Sequence, residues 1–220
     1  MASEEKRKKN PRFTTPAGIA AYPRLLGKPD TKFDEDGVWS VKVKFADMKT
    51  AQPVIDRINA AVEEAVALAK ADDKFLAKLK SKKKKLADAQ LDLPYTEDEE
   101  TGEVTVGFKM KASGISKKDK QPWSMRPAVF DAAGKPVDPE TKVGSGSKVK
   151  VAYEVGPFLT PLGYGVSMRL CAVQILDLVE WGQGDASSYG FEVEDSDAGD
   201  EDDSDDAAED SDEDDGSDEF

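Results

Sequence analysis

Three segments of this chain alternate apolar and polar residues so regularly that they can only be strands buried on one face. In Val38–Phe45, Trp39, Val41, Val43 and Phe45 share one side, and Ser40, Lys42 and Lys44 share the other. The same period runs through Val104–Lys111, with Val104, Val106, Phe108 and Met110 opposite Thr105, Gly107, Lys109 and Lys111. It returns in residues 148–155, where Val149, Val151, Tyr153 and Val155 oppose Lys148 and Lys150. Successive side chains of a strand point to opposite faces, so each segment hides one row and wets the other. Trp39, Phe45, Phe108 and Tyr153 therefore read as core.

A short strand over residues 125–130, before the Asp131 to Gly134 turn, and a long apolar strand or strand pair over residues 166–181 bring the expected number to five or six. Between the first two strands lies one clear helix. Thr50 can cap it, and Ile55, Ile58, Val62, Ala65 and Ala69 form its apolar stripe. Residues 72–90 extend the helical reading, and the lysines at 82–85 form an exposed basic cluster. With no strand–helix–strand alternation, the expected fold is mainly β: a small antiparallel barrel with a helical insertion around residues 50–92.

The chain has no histidine, which removes the commonest general base and the usual zinc ligands. Cys171, the sole cysteine, lies in an apolar run and reads as a buried, inert thiol. Residues 144–148, Gly-Ser-Gly-Ser-Lys, lack the spacing of a phosphate-binding P-loop and read as a turn before a strand. No catalytic constellation emerges, so neither enzyme activity nor a cofactor is expected. Residues 1–9 are charged rather than apolar, and no run approaches the ~20 apolar residues of a membrane span. A cytoplasmic setting without membrane contact is the expectation.

Charge is strongly segregated. Residues 192–220 hold 18 carboxylates, no Lys or Arg, and a terminal Phe220; the remaining 191 residues carry 27 acids against 31 bases. A segment with so little apolar content cannot offset its chain entropy, so residues 185–220 should be a disordered acidic tail. Residues 1–12, with Lys6, Arg7, Lys8, Lys9 and Arg12, read as a flexible basic arm, which leaves 13–184 as the folded domain. The acids can imitate a nucleic-acid backbone and compete for a basic groove. Asp218, Glu219 and Phe220 add a terminal charge and an apolar anchor for another protein.

Lys42 and Lys44, Lys109 and Lys111, and Lys148 and Lys150 stand on the wet faces of their strands, and Arg169 adds a seventh cation. If these strands are neighbours, the lysines form a basic face suited to a phosphate backbone. Trp123, Phe158 and Tyr164 read as aromatics in basic or Gly/Pro-rich loops, where flat rings can stack bases of any identity. Isolated strand lysines would serve only solubility, and loop aromatics could equally be core. An acidic-tailed chaperone of basic proteins and a duplex-preferring architectural protein are the rival readings.

The arrangement resembles the single-stranded DNA-binding proteins of T7-type bacteriophages. The likeness rests on Gly37-Val38-Trp39-Ser40-Val41-Lys42-Val43, on the lysine-flanked strand from Val104, and on Val129-Phe130-Asp131-Ala132-Ala133-Gly134-Lys135. It rests also on the Gly-Ser turn into Lys148-Val149-Lys150-Val151-Ala152-Tyr153, and on the acidic tail closed by an aromatic. The resemblance implies an OB-fold barrel that binds single-stranded DNA without sequence preference, anneals strands, and serves phage replication and recombination in the host cytoplasm. It implies a tail that contacts the replicative polymerase and helicase/primase and competes with DNA. By position, Phe158 matches a loop aromatic of that family. Single-stranded DNA is thus the expected partner, and a homodimer fits the same scheme.

Overall fold

The structure, a computed structural model, describes residues 11–82, 85–86, 89–116, 118–161 and 163–180, all within a first unit, Met1–Gln183. The arm at residues 1–10, Lys83, Lys84, Trp181 and the acidic tail with Asp218, Glu219 and Phe220 lie outside the described residues.

In chain order the elements are β1 (Arg12–Thr14), β2 (Gly18–Arg24), β3 (Val38–Phe45), α1 (Met48–Ala71), α2 (Asp73–Ser81), β4 (Gln90–Asp92) and β5 (Tyr95–Glu97). They continue with β6 (Val104–Lys111), β7 (Ser113–Ile115), β8 (Pro122–Ser124), β9 (Ala128–Phe130), β10 (Lys148–Leu159) and β11 (Gly163–Asp177). The fold is mainly β with an inserted helical segment. More strands form than the five or six expected, because six of them are three residues long, too short for alternation to show.

The five longer strands pair in a closed sequence: β10 with β2, β2 with β3, β3 with β6, β6 with β11, and β11 with β10. The β3–β6 ladder is continuous from Val38↔Lys111 to Phe45↔Val104, which stacks the two wet faces expected from their alternation. β10 and β11 form a long antiparallel hairpin from Lys148↔Asp177 to Leu159↔Tyr164. The stretch from Gly156 to Gly165, expected to be a loop, is thus mostly paired strand. Its Gly and Pro residues suggested a loop, but the twelve-residue ladder of β10 carries through them.

β2 escaped the sequence reading because its alternation breaks. Ala20 and Ala21 are both buried, the register with β3 shifts between Ala21 and Arg24, and Tyr22 takes a left-handed backbone with φ of 50°. Arg12, placed at the end of the arm by sequence, stands in β1 opposite Glu154 of β10.

The apolar strand faces meet in one core containing Val41, Val43, Phe45, Val104, Val106, Phe108, Val149, Val151, Tyr153 and Leu170. Trp39 joins it at 5% exposure and donates its indole N–H to the Met125 carbonyl at 2.8 Å, so the burial leaves no orphaned polar atom. The Phe108 and Tyr153 rings lie 5.3 Å apart and tilted, an arrangement aromatic quadrupoles favour.

α1 closes the core by laying Ala51, Val54, Ile55, Ile58 and Ala61 onto it and packing mainly against β10 and β11. Its cap is Asp47 rather than Thr50: the Asp47 carboxylate accepts from the Thr50 N–H at 2.6 Å. Thr50 therefore sits inside the first turn, and this hydrogen bond holds the Asp47 carboxyl below its ordinary pKa. Helix does not run on through residue 72. Asp72 turns extended, caps a second helix by accepting from Phe75 N–H at 2.8 Å, and α2 sets Phe75 and Leu79 against Ala69. No described helix is long and apolar enough to cross a membrane.

Candidate nucleic-acid interface

The wet faces of β3, β6 and β11 open into a groove of about 600 Å³, walled on its far side by residues 92–96. Lys42, Lys109, Lys111 and Arg169 line it, together with Phe158 and Tyr95. Three strands distant in sequence supply the cations. Ser40 pairs with Lys109, Lys42 with Gly107, and Lys109 stands opposite Arg169 across the β6–β11 bridge. Gly107, which pairs with Lys42, and Ser167 are the smallest residues of the groove lining.

The far wall depends on two glycines. β4 runs parallel to β11 with Gly163↔Gln90 and Gly165↔Asp92 in register. A Cβ at Gly163 would collide with the Gln90 backbone, and one at Gly165 with the Asp92 carbonyl and the Phe158 ring. Glycine is required here for close approach of backbone and ring.

The electrostatics of the groove are uneven. Lys42 and Lys109 form no ion pair with any described residue. Lys111 is held by Asp34 and Asp36, each 3.2 Å from its ammonium, and the Asp34 hydrogen bond, then that of Asp36, raises its pKa above the ordinary value. The guanidinium of Arg169 lies 3.1 Å from Glu154, whose other oxygen is 3.6 Å from Arg12. Carboxylates thus occupy positions where phosphates could stand.

The other three strand cations expected from sequence do not line this groove. Lys44 pairs with Glu103 at 2.8 Å, and that hydrogen bond raises its pKa. The register sets Lys44, Ile19 and Lys148 in one row across β3, β2 and β10. Lys150 faces a separate cleft of about 350 Å³ with Thr14, Phe130 and Gln174. The seven cations therefore split between places, because the β10 lysines sit at the end of the hairpin remote from Phe158 and Arg169.

The three aromatics also part company. Phe158 lines the groove from within β10, not from a loop. Tyr164, at the start of β11, is half-buried and packs with Leu159 against the α1–α2 cluster of Ala69, Phe75 and Leu79, away from the groove lining. Trp123 is half-buried in β8, its indole lying against Gly114 of β7. The 125–130 strand shortens to Ala128–Phe130. Cys171 is half-buried rather than enclosed, and burial pushes its thiol pKa up. Tyr95 was missed by sequence, since three-residue β5 shows no period.

A mainly β scaffold, in which antiparallel ladders are joined by parallel pairings of β11 with β4, β6 and β9, carries an open groove lined by four cations and so defines a candidate polyanion-binding surface. Residues 17–179 match the family described as single-stranded DNA-binding protein, bacteriophage T7. The chain is 31% identical over 195 residues to the single-stranded DNA-binding protein of enterobacteria phage T3, covering 83% of each. It is 30% identical over 197 residues to that of Escherichia phage T7, covering 84% of this chain and 83% of the other. The crystal structure of gp2.5, the single-stranded DNA binding protein encoded by bacteriophage T7, superimposes with a TM-score of 0.64 at 28% identity, covering 86% of this chain and 97% of that one. A C-terminal truncation of the bacteriophage Enc34 single-stranded DNA-binding protein shares the fold at 12% identity, with a TM-score of 0.50 and coverage of 77% and 87%. The chain belongs to the T7-type single-stranded DNA-binding protein family.

Proposed function

We propose that the protein binds single-stranded DNA without reading its sequence. Phosphates lie along Lys42, Lys109, Lys111 and Arg169, and a base stacks on Phe158. The observation that carries this reading is the groove, in which four cations and an aromatic from β3, β6, β10 and β11 converge. Lysines release condensed counterions as phosphates replace them, and each base on an aromatic ring adds roughly 1–3 kcal/mol whatever its identity.

The closed sequence of five long strands supports an OB-fold barrel with α1 as its insertion. Lys44, Lys148 and Lys150 serve as flanking contacts for a longer strand, and Trp123 as a second stacking candidate. The 18 carboxylates of residues 192–220 compete with DNA for the groove. Asp218, Glu219 and Phe220 recruit the replicative polymerase and helicase/primase, in phage replication and recombination within the host cytoplasm. A homodimer is compatible with this scheme.

Titration of the full chain with oligo-dT over a series of salt concentrations tests the reading. Tight, sequence-tolerant binding that quenches tryptophan fluorescence and weakens with salt is expected. Indifference to oligo-dT at moderate salt, as a chaperone of basic proteins would show, or preference for duplex in competition, overturns it.

A further inference from the structure

The loop between β2 and β3 is built with care yet leaves a large aromatic in solvent. Asp30 and Val38 exchange both backbone hydrogen bonds at its base, at 3.0 and 2.9 Å. The Asp30 carboxylate accepts from the Lys32 N–H, and the Asp34 carboxylate from the Asp36 N–H, at 2.9 and 3.1 Å. Gly37, at φ of 76°, completes the turn and donates to the Asp34 carbonyl at 2.8 Å. Ser113 then ties the loop down by donating its hydroxyl to the Asp36 carbonyl at 2.6 Å. At the tip of this fastened loop Phe33 is 90% exposed. Its one ring contact among the described residues is the Lys32 ammonium, 5.3 Å from the centroid.

Burying a Phe is strongly favourable, so an ordered loop that presents one forgoes that gain. The chemistry around Phe33 says what covers it. Its sequence neighbours are Lys32, Asp34, Glu35 and Asp36, so an apolar protein surface finds no continuous patch here. A nucleobase needs only a flat ring, and its phosphate a nearby cation. Asp34 and Asp36, which flank the tip, both grip Lys111, a cation of the groove. We propose that Phe33 is a further base-stacking residue at the Lys111 end of the groove, with Lys32 meeting the adjoining phosphate. The proposal rests on the single-stranded DNA reading and extends its footprint beyond the groove walls.

The test compares full-length Phe33→Ala, Phe33→Leu and Phe33→Trp with wild type in oligo-dT titrations across salt. Because stacking needs an aromatic face, F33A and F33L should each bind about fivefold or more weakly, with the salt slope unchanged. F33W should restore affinity and add fluorescence quenching on DNA addition. Wild-type affinity in F33A, or in F33L, overturns the proposal while leaving the groove intact. A wild-type chain that ignores oligo-dT overturns both readings, so the two failures are distinguishable.

Discussion

Lys109 and Arg169 are register partners across the single bridge that joins β6 to β11, so one pairing both closes the run of long strands and sets two cations side by side. Like charges opposite each other oppose folding slightly. Lys109→Ala should therefore leave the unfolding midpoint unchanged or a little higher while weakening single-stranded DNA binding. Removing one cation from the phosphate path should flatten the slope of log K against log salt by about 0.7. A K109A protein with the wild-type slope would remove Lys109 from that path.

Glu154 sits between Arg12 and Arg169 and occupies both guanidiniums. Substituting Glu154→Gln frees two cations for phosphate. Oligo-dT binding should tighten severalfold and become more salt-dependent, as titrations at two ionic strengths would reveal. Weaker binding would mean that Glu154 positions Arg169 rather than competing for it.

Asp47 caps α1 as a carboxylate, with its pKa lowered first by the Thr50 N–H. A lowered folded pKa stabilises the protein fully above the ordinary value near 3.8 and loses that stabilisation as pH falls through the folded value. Asp47→Ala should lower the thermal midpoint by a few degrees at pH 7. The difference should shrink as the pH is lowered below 3.8. An undiminished difference at acid pH, followed by circular dichroism, would contradict the ionised cap.

Gly165 lets β4 and Phe158 approach β11. Gly165→Ala should cost about 1–3 kcal/mol of stability from overpacking. It should also weaken DNA binding, because the wall at residues 92–96 and the Phe158 ring move together. Denaturant unfolding and oligo-dT titration on the same sample separate the two effects, and an intact groove with normal affinity would show that β4 is dispensable.

Removal of residues 192–220 takes away 18 carboxylates and should tighten oligo-dT binding severalfold at low salt, with the gain shrinking as salt screens the tail. Deleting Phe220 alone should leave DNA affinity nearly unchanged while abolishing capture of the replicative polymerase or helicase in a pull-down. Unchanged affinity after the larger deletion would end the self-competition scheme.

Local pattern determined a great deal about this protein. The period-two rows of β3, β6 and β10 and the stripe of α1 are properties of neighbouring residues, so Trp39, Phe45, Phe108, Tyr153 and Ile58 were legible as core and the lysines as wet. The separation of an acidic tail from a basic body is likewise a matter of counting. β2 stayed hidden because a register shift and a left-handed Tyr22 break its period, and the three-residue strands have no period to read.

What the fold alone decided is which charges meet. Lys111 finds Asp36 across 75 residues of chain, Lys109 finds Arg169 through a single bridge, and Lys148 is carried away from both by its place in the β10–β11 hairpin. Alternation assigns a side chain to a face of its strand, but only the pairing of strands in space assigns that face to a groove. Neighbours across a sheet are set by long-range register, which no local spacing encodes.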